Sequence, residues 1–485
     1  MTELIQRLRV LVNRCRGLLP WDWMLLFNLK QSMKRNIAVV LCCMVLFSSC
    51  ELLDITPKHV VSQEKAFNDV ESYEMALNNV FRTMTTSVMT MQTTDYASDD
   101  FSVVVPGYAP TNYNIYNWDY QTQPQPSVWK YQYFLIANEN VLIDNYFIVP
   151  AADEAEQAKI DQIYAQALGL RAWSLFNIVQ LYAPHYNGQN GNEEGIPLKL
   201  KLELEYLRKA KLGEVYQQIF SDLEKAERLL TESEYAPSVN DKAYQFGLDA
   251  VRALRARVAL FTNDLEMAKS ASAHFINTEL LNKENYWMLW EDQFGSLNKE
   301  ILFMTHDLSD TDDAELIDYH VMYETNKVRL SGELMDSFSP GDVRQEASYI
   351  GPGQMPYKHV IPVNDRNDQM DRNLHYKHFR LAEQYLIYAE AVLPDDPEEA
   401  MRVLNILKAK RGAELLTTVP TMDDILEERR RELFAEGLRF YDLKRLSDEM
   451  NIVVERQDGT VLAPNSPLYI WEIPKEETNS NPYIN

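Results

Sequence analysis

The chain reads as a mainly α protein: helix pairs packed in the tetratricopeptide manner, a partial solenoid with long loop-rich insertions and minor β-structure. Three observations predict this. Apolar residues recur at spacings of three and four through most of the sequence after Ser62. Stretches rich in Pro, Gly, Asn and Asp separate those runs. One helix pair also occurs twice, because Ala250, Ala259 and Ala268 recur at a common offset as Ala382, Ala391 and Ala400. The same offset relates Leu254 to Leu386, Asp264 to Asp396 and Glu266 to Glu398. Small residues at these points let antiparallel helices approach closely, with the Asp in the turn between them. The full repeat signature is absent, and a coincidence of two Ala-rich helices is the alternative.

The spacing predicts helices over 66–84, 128–147, 154–182, 213–230, 244–261, 265–275, 379–393, 397–411 and 422–446. Loops are expected at 95–127, 183–197, 307–323 and 339–372, with short strands at 300–305 and near 452–454. A helical scaffold over about 60–94, 128–280 and 379–446 would therefore carry a loop-rich region over about 95–127 and 281–378.

Composition narrows function before any motif does. The 485 residues hold 47 Lys and Arg against 72 Asp and Glu, a formal charge of −25. Nucleic acid and anionic lipid surfaces, which must be neutralised by basic groups, are poor partners for such a chain. The four cysteines are Cys15, Cys42, Cys43 and Cys50, with none afterwards. The body therefore has no disulfide framework, no Cys-based zinc site and no catalytic thiol.

Those cysteines lie in or before a targeting signal. Met33-Lys34-Arg35 leads into an apolar run from Ile37 to Phe47 and then Ser48-Ser49-Cys50. A basic start, a short apolar stretch and small residues before a Cys describe a lipoprotein signal peptide over 33–49, with Cys50 as the acylated residue. The run is far shorter than the ~20 residues that cross a bilayer. The usual Leu three residues before the Cys is here Phe47, with Leu46 one earlier. Residues 1–32 then read as a start-site artefact.

Catalytic and metal signatures are lacking. No phosphate-cradling Gly loop, nucleophile elbow or paired-His zinc motif occurs. His375 and His378 are read as members of a solvated turn. Asp307, Asp310, Asp312, Asp313 and Glu315 invite a calcium reading but lack the register of a helix-loop-helix site, so they are read as a solvated acidic loop. Neither a metal nor a cofactor is expected.

Aromatic residues are the informative feature. Nine fall between Tyr108 and Phe134. Trp129, Tyr133 and Ile136 share a helical face and are read as core. The earlier ones lie in a loop with Asn112, Asn114, Asn117 and Asp119. Flat rings stack on the apolar faces of pyranoses while amides and carboxylates bridge hydroxyls, so this composition suits sugars. The glycan-binding candidates are Tyr113, Tyr116, Asn117, Trp118, Asp119 and Tyr120, with Trp290, Tyr319 and Tyr323 as a second line and Trp287 as core. The competing reading buries these rings in a small core of the loop itself.

The run from Glu427 to Arg445, EERRRELFAEGLRFYDLKR, is the most specific stretch. On one helix, Glu427/Arg431, Glu428/Arg431, Glu436/Arg439 and Arg439/Asp442 would pair along one side, beside a stripe of Leu426, Leu433, Phe434, Leu438 and Tyr441. Such a lattice orients helices and does no chemistry by itself. The run resembles the hallmark of the SusD/RagB family of outer-membrane nutrient-binding lipoproteins. Further landmarks are Cys50 to Pro57, Leu170 to Trp173 with Gly195-Ile196-Pro197, and Glu214-Val215-Tyr216 with Asp222 to Ala226. Phe379 to Glu383 with Tyr388 to Ala391, and Ile473 to Glu476 with Asn481-Pro482-Tyr483, complete the set. Lys408 stands where the family more often has Arg. The resemblance implies a non-catalytic lipoprotein at the outer membrane that captures oligosaccharide and passes it to a SusC-like TonB-dependent transporter. Peptide in place of sugar, a glycoside hydrolase, and a scaffold that binds only protein are the rival readings. Ligand residues vary within the family, so none carries over to this chain.

Overall fold

The computed structural model describes residues 67–484 apart from 85–87, 104–112, 121–127, 204, 235–241, 292–298, 307–327, 347–349, 352, 357 and 359–374. Its main helices are α1 (Val70–Thr83), α2 (Val88–Ala97), α3 (Val128–Asn145), α4 (Glu154–Tyr182), α5 (Leu212–Glu232), α6 (Leu248–Phe261), α7 (Leu265–Ala273), α8 (Leu381–Val392), α9 (Pro397–Arg411), α10 (Met422–Leu433) and α11 (Arg439–Leu446). The periodicity located most of them to within a few residues.

Helix α4 is the spine. It is buried along most of its length from Ile160 onward and is sandwiched between α3 and α5. The Asp153 carboxylate accepts from the Glu156 N–H at 2.9 Å and starts the helix in the manner of an N-cap. Midway, Arg171 donates to both Asp222 oxygens, at 2.8 and 2.7 Å, and to Asn140 Oδ1 at 2.9 Å. One guanidinium thereby ties α4 to α5 and α3.

Both matched stretches form helix pairs, α6/α7 and α8/α9. Asp264 accepts from the Met267 N–H and Asp396 from the Glu399 N–H, each at 3.0 Å, so the matched aspartates do the same work. All six matched alanines are buried, and α7 packs against α8. Between the pairs, Arg257 donates to both oxygens of Glu383 at 2.6 Å. Strand content is small: the described residues contain five two-stranded ladders, all antiparallel. The largest joins β-residues Ile301–His306 to His375–Arg380, which lead directly into α8. The strand expected near 452–454 is Val454–Glu455, paired with Val461–Leu462.

Two expectations need correction. The loop expected over 95–127 holds the end of α2, a strand at Phe101–Val103 and a one-turn helix at Tyr113–Tyr116. The helix expected over 422–446 is two helices, broken between Leu433 and Arg439. Ala435 and Gly437 there take left-handed conformations, with φ of 59° and 73°. A Cβ on Gly437 would meet the Met91 Cα at 2.7 Å, so a side chain would block the approach of α2. The Gly437 N–H donates to Asp95 and its carbonyl accepts from Thr94, which pins the break to α2.

Candidate functional site

The break redirects the charged run. Glu427 and Glu428 do face Arg431, at 3.9 and 3.0 Å. The expected pairs Glu436/Arg439 and Arg439/Asp442 give way to partners on other elements. Arg439 meets both oxygens of Asp99 at 2.8 Å, Asp442 meets Arg429 at 3.1 Å, and Glu436 meets Arg380 at 2.7 Å and Lys358 at 2.9 Å. Glu432 lies at the centre and is fully buried. Arg344, Arg380 and Arg411 all reach it at 3.0–3.1 Å. Burial alone would raise the Glu432 pKa, but these guanidiniums hold it far below the carboxylate range. Every charge in this lattice is answered internally, which makes it a structural centre.

The aromatic segment 113–120 is organised by a different arginine. Arg456, from the C-terminal hairpin, lies 3.8 Å from the ring centre of Tyr116 and 4.3 Å from that of Trp118. Its donors go to the carbonyls of Tyr116, Phe101 and Tyr96. Trp118 turns inward through a left-handed backbone with φ of 56°, and its Nε1 donates to the Ala97 carbonyl at 2.9 Å. Tyr120 donates to the Leu468 carbonyl at 3.1 Å and packs on Trp471.

Tyr116, Trp118 and Tyr120 are therefore interior residues, 5%, 2% and 7% exposed, which corrects their expected role as open stacking platforms. A buried cation collects the ring faces that a sugar would use. Asp119 of the same turn is exposed and Asn117 is half-buried: its Nδ2 donates to Asp458 at 2.9 Å, while its Oδ1 is turned inward. Tyr113 begins the one-turn helix.

The tryptophan pair is also reversed. Trp290, a second-line candidate, is buried among Tyr286, Leu289, Ile301 and Val343, with the Arg380 and Lys358 cations within 5.3 Å of its ring centre. Trp287, expected in the core, is 46% exposed. His378, expected in a solvated turn, sits on a strand with its ring edge-on to Trp173 and its Nε2 2.8 Å from Thr305 Oγ1. Tyr319, Tyr323, the 307–315 acidic cluster and Cys50 lie outside the described residues.

Two cavities adjoin this framework. One, of about 50 Å³, lies under Thr90, Gln180, His378 and Tyr441 and has room for only a water or two. The other is a cleft of about 670 Å³ between the 184–193 segment, the α6–α7 turn and the chain after α11. Its lining is rich in amide and carboxylate side chains, including Asn187, Gln189, Asn263, Asp448 and Glu449. The sequence reading missed it, because its walls are distant in sequence; the one local sign was the Asn- and Gln-rich stretch after Pro184.

Comparison with known proteins agrees with this architecture. Residues 316–485 match the model of the SusD family, and residues 53–260 match a model described as "Starch-binding associating with outer membrane". A curated relative, SusD-like protein P38 of Formosa agariphila, is 22% identical over an alignment that covers 93% of this chain and 98% of that protein. Among solved structures, a SusD superfamily protein of Bacteroides thetaiotaomicron matches with a TM-score of 0.70 at 22% identity, covering 86% of this chain and 99% of that one. A SusD-like carbohydrate binding protein of Bacteroides vulgatus matches at 0.68 and 21% identity, with coverage of 86% and 98%. A laminarin binding SusD-like protein matches at 0.63 and 20% identity, with coverage of 86% and 99%.

Proposed function

The chain belongs to the SusD family, and from that premise we propose that it is a glycan-capturing lipoprotein of the outer membrane. It holds oligosaccharide without cleaving it and delivers it to a SusC-like TonB-dependent transporter, anchored through lipid on Cys50. The observation that carries this reading is the match of the chain's N-terminal half to a starch-binding, outer-membrane-associated family model. The likeness to proteins named for carbohydrate and laminarin binding supports it. Among the described residues no helix is long and apolar enough to cross a membrane.

Within the proposed primary site, the 113–120 turn presents Asn117 and Asp119, while Tyr116, Trp118 and Tyr120 brace it from beneath. Tyr113, Tyr319 and Tyr323 are proposed as ligand groups on composition alone. An amide beside a carboxylate can bridge vicinal hydroxyls, and a braced turn binds with little ordering cost.

A binding role also fits the carboxylates better than hydrolysis does. A glycosidase needs two carboxyl groups about 5–10 Å apart across an open sugar site, one with a raised pKa. Burial pushes Glu139 up to about 8 and Asp100 up to about 6. Glu139 is held in the interior by Ser174, and Asp100 is engaged with Arg430. Neither lines the cleft.

The test is affinity electrophoresis of the chain through gels cast with plant and host polysaccharides. Retardation by at least one polymer without release of reducing ends is expected. No retardation by any polymer overturns glycan capture, and reducing-end release overturns the non-catalytic part.

A further inference from the structure

We propose that the cleft between 184–193 and the chain after α11 is a second carbohydrate site, selective for neutral over anionic oligosaccharides. It rests on the glycan-binding reading above and adds a location and a ligand class which that reading does not contain.

The size is suitable. About 670 Å³ falls within the roughly 300–1,000 Å³ of small-ligand pockets. The chemistry of the lining is that of a hydroxyl reader. Gln189, Asn263, Asp448 and Glu449 line the cleft, and none makes a side-chain hydrogen bond to another described residue. They come from three separate elements. Pro184, Leu446, Pro467 and Ile470 add apolar surface, which the C–H faces of a pyranose ring require.

The walls are built rather than loose. Asn187 Oδ1 accepts from the N–H groups of Gln189 and Asn190 at 3.0 and 3.2 Å. Asn190 Oδ1 accepts from the Asn187 N–H at 3.1 Å, and its Nδ2 donates to the His185 carbonyl at 2.8 Å. Lys444 donates to the carbonyls of Gln180 and Ala183, at 2.5 and 2.6 Å, and so ties the cleft floor to the end of α4.

Charge sets the selectivity. Glu193, Asp448 and Glu449 are exposed on the cleft. The cations available to oppose them are already engaged: Lys444 by those two carbonyls, and Arg445 by Glu390 and Asp442. Burial further pushes Lys444 down to about 7, so even its charge is weakened at neutral pH. Uronate or sulfated chains would face unpaired carboxylates, whereas neutral hydroxyls accept and donate freely there.

The experiment is hydroxyl-radical footprinting of the full chain with neutral gluco-, xylo- and manno-oligosaccharides, and with galacturonate oligosaccharides as the anionic probe. At least one neutral probe is expected to slow oxidation several-fold at 184–193 and 444–470, with little effect of galacturonates. Gln189→Ala combined with Asn263→Gly should abolish that protection; glycine suits the left-handed backbone of Asn263, φ 59°, so the fold is kept. Protection confined to 113–119, or equal protection by galacturonates, overturns the proposal. Retardation in polysaccharide gels with an unprotected cleft overturns this site alone, whereas no protection anywhere with no retardation overturns the glycan reading as well.

Discussion

Two of the buried arginine systems in this fold are solved in opposite ways. Around Glu432, the guanidiniums of Arg344, Arg380 and Arg411 are met by carboxylates from Asp342, Glu300, Glu428 and Glu436. Burial works against charge there, yet the carboxylates outweigh it and hold all three arginines above their ordinary pKa. Arg456 is met by three carbonyls and two aromatic faces, and burial pushes it down to about 10. It still carries its proton at any working pH. The first system locks long-range architecture, since its members come from well-separated parts of the chain. The second shapes one local turn, and that turn carries the proposed ligand groups.

The contrast is broken most severely at Glu432. Glu432→Ala removes the acceptor shared by three buried cations, and a loss of about 3–5 kcal/mol in urea unfolding is expected. A loss under about 1 kcal/mol would mean that the neighbouring carboxylates compensate and that Glu432 is not the centre. Next comes Arg456→Met, which keeps bulk but orphans the three carbonyls. A loss of about 2–3 kcal/mol is expected. The distinguishing readout is amide hydrogen exchange, which should accelerate first at 113–120 and leave α10 protected. Uniform acceleration across both would show that the two systems are one cooperative unit.

These contacts also mark where the sequence was legible. Helix α4 and the paired aspartates of the α6/α7 and α8/α9 turns follow from local pattern: periodicity, caps and small residues. The hallmark run was legible as a lattice, but its partners were not, because the break at Ala435 and Gly437 exists to admit α2 from hundreds of residues away. Nothing local separates Trp287 from Trp290 either; packing on Tyr286 and Ile301 buries one and leaves the other out. The aromatic segment was recognised as unusual, but its composition does not reveal that a distant arginine claims the rings.

Acid sharpens the same comparison without mutation. Burial would raise Glu428, but Arg344, Arg431 and Lys408 hold it down to about 2, against an ordinary 4.5. A carboxylate with a depressed folded-state pKa adds stability that is fully present above its unfolded value and is lost as pH falls through the folded one. The lattice should thus lose stability between about pH 4.5 and 2. The direct contacts described for Arg456, three carbonyls and two rings, include no carboxylate. Hydrogen exchange should show α10 and α11 losing protection on acidification before the direct Arg456 contacts do; the reverse order would place the acid-labile link elsewhere.

The smallest stability effect, and the most telling for function, is expected at the rim of the Arg456 system. Asn117 is half-buried and donates to Asp458, whose pKa is lowered chiefly by hydrogen bonds from Thr460. Losing one exposed hydrogen bond should change stability by no more than about 0.5–1 kcal/mol. Asn117→Ala should nevertheless weaken glycan retardation several-fold if the turn is a ligand surface, since the missing amide would be a direct contact. Arg456→Met should weaken it too, but with a lower melting temperature. Binding loss with unchanged melting in the first variant, and loss of both in the second, would separate the group that touches ligand from the group that holds it in place. If Asn117→Ala binds normally while the cleft variant Gln189→Ala with Asn263→Gly does not, capture belongs to the cleft and the braced turn is architecture alone.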